Sequence, residues 1–190
     1  MHRILAVFAC LACFATAACS STTSPSAPAD AGGAEGDAGC GLHNGQCVPC
    51  TSTADLTTPA VTFGHDVQPV FQQSCSIAGA TCHGARNVQM QGRPFLGLQD
   101  GGADAADILS GIVGKPSVED PQMNILTASD PGNSYLMHKV DGDQCTLAAA
   151  CAKGTSQYPD CGQQMPYSSP PLDTSTRDTI RRWIAQGAKP

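Results

Sequence analysis

The sequence predicts an all-α domain with long loops, preceded by a disordered tether and a small cysteine-rich knot. Three observations carry that prediction. Apolar residues recur at helical spacing in three stretches: Val67, Val70 and Phe71; Ile108, Leu109 and Ile112; and Ile180, Trp183 and Ile184. The alternation that marks half-buried strands is weak throughout. Eight cysteines follow Cys19, three of them within Cys40–Cys50 around an Asn44-Gly45 turn signal.

The first 18 residues read as a signal peptide. Met1-His2-Arg3 is a basic start, Ile4–Phe14 is apolar but too short to span a bilayer, and Ala15-Thr16-Ala17-Ala18 are small. Cys19 directly after Ala-Ala fits lipoprotein processing, in which it becomes the lipidated first residue; Thr16 stands where leucine is usual. Residues 19–39 would then be a lipidated tether. From Ser20 onward they are Ser, Thr, Pro, Ala, Gly, Asp and Glu with no large apolar side chain, too little to offset the entropy of ordering. The expected location is the periplasm or outer cell envelope, anchored at Cys19. The chain carries 10 basic and 16 acidic residues, and loss of Arg3 with the leader makes it more acidic still. No basic patch suits nucleic acid. Export would place the remaining cysteines where disulfides persist.

Residues 40–64 form the cysteine-rich segment and a Thr-rich linker. Cys47-Val48-Pro49-Cys50 has the spacing of a redox dithiol or half a zinc site, but no βαβ pattern and no second C-x-x-C accompany it, so structural disulfides are expected. His43 reads as a loop residue. The main domain is expected over 65–190. Asp66 is the expected cap of a first helix, with Pro69 tolerated in its first turn. That helix delivers Cys75 one turn beyond Phe71. A second helix is predicted over 103–114, stopped by Lys115-Pro116, and a third carrying Tyr135 and Leu136, stopped at Asp141-Gly142. Cys145–Cys161 is a cysteine-bearing insertion. The last helix is expected from about Ser175, with Asp178 three residues on as an imperfect capping box. It buries Ile180, Trp183 and Ile184, with Arg177, Arg181 and Arg182 facing solvent.

The chemistry concentrates at Cys75-Ser76-Ile77-Ala78-Gly79-Ala80-Thr81-Cys82-His83-Gly84. A cysteine, then Cys-His, is how a c-type haem site is written, usually as C-x-x-C-H; here six residues separate the cysteines. Val67-Gln68-Pro69-Val70-Phe71 before Cys75, Ser134-Tyr135-Leu136, Met165-Pro166 with Leu172, and Ile180-Arg181-Arg182-Trp183-Ile184-Ala185-Gln186-Gly187-Ala188 complete a pattern over residues 65–188. It resembles the c-type cytochrome domain of exported bacterial lipoproteins. The resemblance implies a cytochrome c-like fold and one covalent haem c held by thioethers at Cys75 and Cys82. It further implies His83 and Met165 as axial ligands of the iron, and a redox partner protein or small electron carrier. Met123 and Met137 are alternative thioether ligands, Met90 a further downstream methionine, and His138 an alternative imidazole; His65 reads as a surface residue.

A haem-free reading stands beside this one. Cysteines with six residues between them can close a disulfide if their α-carbons approach to about 4.4–6.8 Å. The product would be a disulfide-stabilised envelope lipoprotein that uses a cytochrome-like scaffold for binding or structure. A zinc or copper site at Cys82, His83 and a methionine is weaker, because no second histidine sits at metal spacing. No nucleophile–base pair, paired carboxylate or phosphate loop points to an enzyme.

Overall fold

The computed structural model describes residues 40–43, 45–77, 81–86, 93–98, 104–153 and 160–190. The leader, Cys19, the tether and Met90 lie outside them. Within them the chain is mostly helical, with one small sheet. Strands β1 (Gly41–His43) and β2 (Gln46–Val48) pair antiparallel, Gly41 opposite Val48. Gly45 has φ +79°, the left-handed conformation that a tight two-residue turn demands. Three-residue strands are too short to leave an alternation in the sequence, so the knot was legible and its sheet was not.

Disulfides fix this knot. Cys40–Cys50 closes the hairpin, and Cys47–Cys145 fastens it to the helical domain across 98 residues. Cys47 and Cys50 are thus both structural, but they pair with other cysteines and not with each other. Cys151–Cys161 closes the insertion. These three bonds suit an oxidising environment. Among the described residues no helix is long and apolar enough to cross a membrane.

The stretch expected to be a linker is packed against the domain. Val61 and Phe63 belong to the core. The Gln186 side chain donates to the carbonyls of Leu56, Thr57 and Pro59 and accepts from the Val61 N–H. Arg182 Nε donates to the Asp55 carbonyl, and Ser52 Oγ to Asp178. One glutamine satisfies four backbone groups that a free linker would leave to water.

The first helix, α1, has an α-helical centre at Gln68–Val70, extended by π-helical turns at Phe63–Val67 and Phe71–Cys75. It starts a turn earlier than Asp66 suggested. The Asp66 carboxylate lies within the first turn and reaches back to accept from the Thr62 N–H at 2.8 Å. Helix α2 is Ala105–Ile112, capped by Asp104, which accepts from the Ala106 N–H at 3.0 Å. Helix α3 is Tyr135–Asp141 and ends at Gly142 with φ +81°. A 3-10 turn, Gln144–Leu147, leads to the short α4, Ala148–Cys151. Helix α5 is Thr174–Ala185. Its cap is Asp173, not Ser175: Asp173 Oδ1 accepts from Thr176 N–H at 2.9 Å.

The core gathers Phe63, Val67 and Phe71 of α1, Ile108 and Ile112 of α2, Leu136 and Val140 of α3, and Ile180, Trp183 and Ile184 of α5. Phe71 meets Trp183 edge to face at 6.5 Å between ring centres, and Phe63 meets Phe71 at 5.8 Å, the geometry that ring quadrupoles favour. Of the three arginines expected in solvent, Arg177 is instead buried and Arg181 half-buried against the domain. Arg181 binds both oxygens of Asp141 at 2.7 and 2.8 Å, and Arg177 lies 3.5 Å from the same carboxylate. Burial pushes the Asp141 carboxyl up, and the two guanidinium groups oppose that shift. This ion cluster joins α5 to the end of α3, where the helical periodicity read only a polar face.

Candidate functional site

The end of α1 positions the first part of the site. Cys75 ends its last turn, and the chain returns at Thr81–Arg86. The His83 N–H donates to the Cys75 carbonyl at 2.9 Å. In an α-helix that bond joins residues four apart, as the first cysteine and the histidine are in C-x-x-C-H. Here it joins residues eight apart, so the longer spacing keeps the same closure. The His83 carbonyl in turn accepts from the Leu96 N–H at 2.9 Å, tying the motif to the Pro94–Leu96 segment.

These residues face a cavity of about 400 Å³, which Cys75, Cys82, His83 and Met165 all line. The sequence separates them by up to 90 positions, and the fold assembles them around one space. His83 is half-buried, with its ring open to the cavity. Its Nδ1 lies 2.8 Å from the Pro94 carbonyl, a group that only accepts, so Nδ1 carries the proton and Nε2 keeps its lone pair. Burial also lowers the imidazole, and the Arg93 and Lys139 charges add to this, while the Pro94 bond opposes it. The ring is therefore neutral at ordinary pH, the form that ligates metals. Donation of the second ring nitrogen to a backbone carbonyl is the usual support of a metal-bound histidine.

Cys75 is a free, buried thiol, and burial pushes it up to about 12. The disulfide with Cys82 that the haem-free reading would close is not formed. Cys82 is itself disulfide-bonded, and its partner lies outside the described residues. Met165 is half-buried and precedes a cis peptide to Pro166; its N–H donates to the Lys139 carbonyl at 2.8 Å. The other candidates sit elsewhere. Met137 is in the core, and Met123 packs beside Tyr135, Cys151 and Cys161. His138 has Nδ1 at 2.8 Å from Asp143 and Nε2 at 3.2 Å from the Gly132 carbonyl, so both nitrogens are engaged. His65 is exposed beside Asp66.

The cavity has a polar side that the sequence did not announce. Ser117–Glu119 reach it on a loop folded back by Ser117 N–H to Met123 O and Ile125 N–H to Lys115 O. Tyr135 and Lys139, one helical turn apart on α3, both donate to the Cys161 carbonyl, at 2.9 and 2.8 Å. Tyr135 was expected to face inward. Its i,i+4 partner Lys139 was the overlooked signal, because neighbours at that spacing share a helix face. Burial raises the Tyr135 hydroxyl and lowers Lys139 to about 8.

Among the described residues no group of three or more His, Cys, Asp or Glu is arranged to hold a metal ion, so the zinc or copper alternative gains no ligand set there. A haem iron would ask only for one imidazole and one thioether from the protein. No family model matches the chain, and no curated protein or solved structure matches it either.

Proposed function

We propose that the protein is an exported, lipid-anchored c-type cytochrome-like electron carrier that binds one haem in the cavity lined by Cys75, Cys82, His83 and Met165. The observation that carries the reading is their convergence on one cavity, with the His83 imidazole held neutral and its Nδ1 bonded to Pro94. The residues fit the group. His83 and Met165 would hold the iron, Cys75 and Cys82 would tether the macrocycle as thioethers, and Leu96, Ile125, Leu136 and Val140 would keep water from it. Bound haem supplies reversible one-electron exchange. With imidazole and thioether both bound, the iron has no open position, which favours transfer over catalysis. Cys19 would anchor the protein at the periplasmic or outer envelope membrane, within reach of a redox partner protein or small electron carrier.

Cys82 is disulfide-bonded, so under this reading a thiol reductant of the maturation system would first have to return it to a free thiol. Every other described cysteine is paired or is the free Cys75. The Cys82 disulfide is also the observation that favours a second reading, a haem-free envelope lipoprotein stapled by disulfides.

Intact mass decides between them. The mature protein would be made in a host with a working cytochrome c maturation system and weighed before and after reduction and thiol alkylation. The haem reading expects covalent haem that survives denaturation, with Cys75 and Cys82 protected from alkylation. Absence of haem, with Cys75 alkylating without reduction, would overturn it.

A further inference from the structure

Lys139 stands apart from Arg177 and Arg181. Both arginines lie against the Asp141 carboxylate. Lys139 is only 9% exposed, yet among the described residues no carboxylate comes within ion-pair distance of it. Its Nζ donates to the Cys161 carbonyl at 2.8 Å and lies 5.8 Å from the centre of the Tyr135 ring. An ammonium has three donors, and a buried charge is ordinarily paired. The acidic groups around it act from farther off: Glu119, which accepts from Ser117 Oγ at 3.2 Å, and Asp160. Lys139 lines the cavity, and so does Arg93.

We propose that the cavity's ligand presents an acidic group to Lys139, so that the site selects molecules with an apolar body and a carboxylate or sulfonate-like anion. The inference depends on the preceding reading only in taking this cavity as a ligand site; it holds with or without covalent haem. The apolar lining from Pro94, Leu96, Ile125, Leu136, Val140 and Pro166 takes the body of the ligand, and the ammonium takes its charge. The Cys151–Cys161 bridge has a part in this. It fixes the carbonyl that holds Lys139 and Tyr135 in the wall, so that the ammonium is oriented before any ligand arrives.

The test uses the full mature chain produced without haem and two dyes of the same shape: anionic 8-anilinonaphthalene-1-sulfonate and uncharged N-phenyl-1-naphthylamine. Lys139→Met should weaken the anionic dye roughly tenfold or more, the scale of a lost charge-assisted hydrogen bond, and leave the neutral dye within about twofold. Lys139→Arg should keep most of the anionic affinity. Parallel loss of both dyes, loss of neither, or no binding of the anionic dye to the unsubstituted protein would each overturn the inference. A measurement on unsubstituted protein covers the case in which Lys139→Met fails to fold. Affinity for the anionic dye should fall as ionic strength rises, with the neutral dye unaffected, because salt screens a charge pair and not an apolar contact. A salt-independent affinity for both dyes refutes the proposal. Covalent haem detected by mass, with no discrimination between the dyes, would sink this inference alone; the reverse pattern would sink only the haem reading.

Discussion

The Cys47–Cys145 bridge should be the most stabilising cross-link in the described chain, and its removal gives a sharp test. The bond closes a loop of 98 residues, whereas Cys40–Cys50 closes one of 10. If a cross-link acts by restricting the unfolded chain, its contribution grows with the logarithm of loop length. That gives about 4.7 kcal/mol for the long loop and about 2.7 kcal/mol for the short one. All four cysteines are half-buried, so replacing each pair by alanine disturbs packing to a similar and small extent. The two double variants, Cys47→Ala/Cys145→Ala and Cys40→Ala/Cys50→Ala, would be unfolded in urea against the unsubstituted protein. The first should lose about 2 kcal/mol more than the second. It should also show the steeper dependence on urea, because its unfolded chain expands further and exposes more surface. Equal losses, or a larger loss from the short loop, would refute loop entropy as the source. They would point instead to native contacts of the knot, such as the Cys50 N–H to Asp143 bond at 2.7 Å.

Four further outcomes follow from the geometry. Arg181→Met leaves the buried Asp141 carboxylate with Arg177 alone, and thermal or urea unfolding should show a loss of roughly 3–5 kcal/mol. Gly142→Ala forces an L-residue into φ +81° and should cost about 1–2 kcal/mol; the atoms nearest its new Cβ belong to the Gln164 side chain, which can shift, so a larger loss in the same assay would contradict this account. The Asp143 hydrogen bond raises the His138 pKa, with burial opposing. The folded state therefore holds that proton more tightly than the unfolded one. The resulting stabilisation is complete below the ordinary histidine range and is lost as pH rises through the raised value; His138→Asn should flatten that slope in pH-dependent unfolding. In the haem-loaded protein His83→Ala should abolish the low-spin spectrum, while Met165→Ala should alter it and lower the potential, both read by visible spectroscopy and redox titration.

Apolar periodicity located α1, α2 and α5, because each buries one face against the same core, and turn signals bounded α3, which Gly142 stops as expected. The candidate site residues could be picked out by residue type and place in the chain. Their convergence could not, since it depends on the loop carrying Ser117–Glu119 and on the turn at Met165-Pro166. What the sequence hid was mostly polar. Arg177 and Arg181 occupy the helix face that periodicity assigns to solvent, and only the buried Asp141 makes that placement tolerable. Lys139 was hidden for the same reason: its partner is a backbone carbonyl, and main-chain acceptors leave no trace in residue identity. Val61 and Phe63 looked like the end of a linker because one glutamine, 125 residues downstream of Val61, holds that stretch against α5.

The bond from the His83 N–H to the Cys75 carbonyl separates the histidine's placement from the number of residues between the cysteines. Whatever lies between the two ends, the pair that matters is held by the main chain. Lengthening the segment from two intervening residues to six adds only about 1 kcal/mol of closure entropy. Insertions there are consequently close to neutral for the fold, and drift in length can accumulate without moving the imidazole. Chains sharing this site would then be united by a contact between a carbonyl and an amide, while their motifs differ in length.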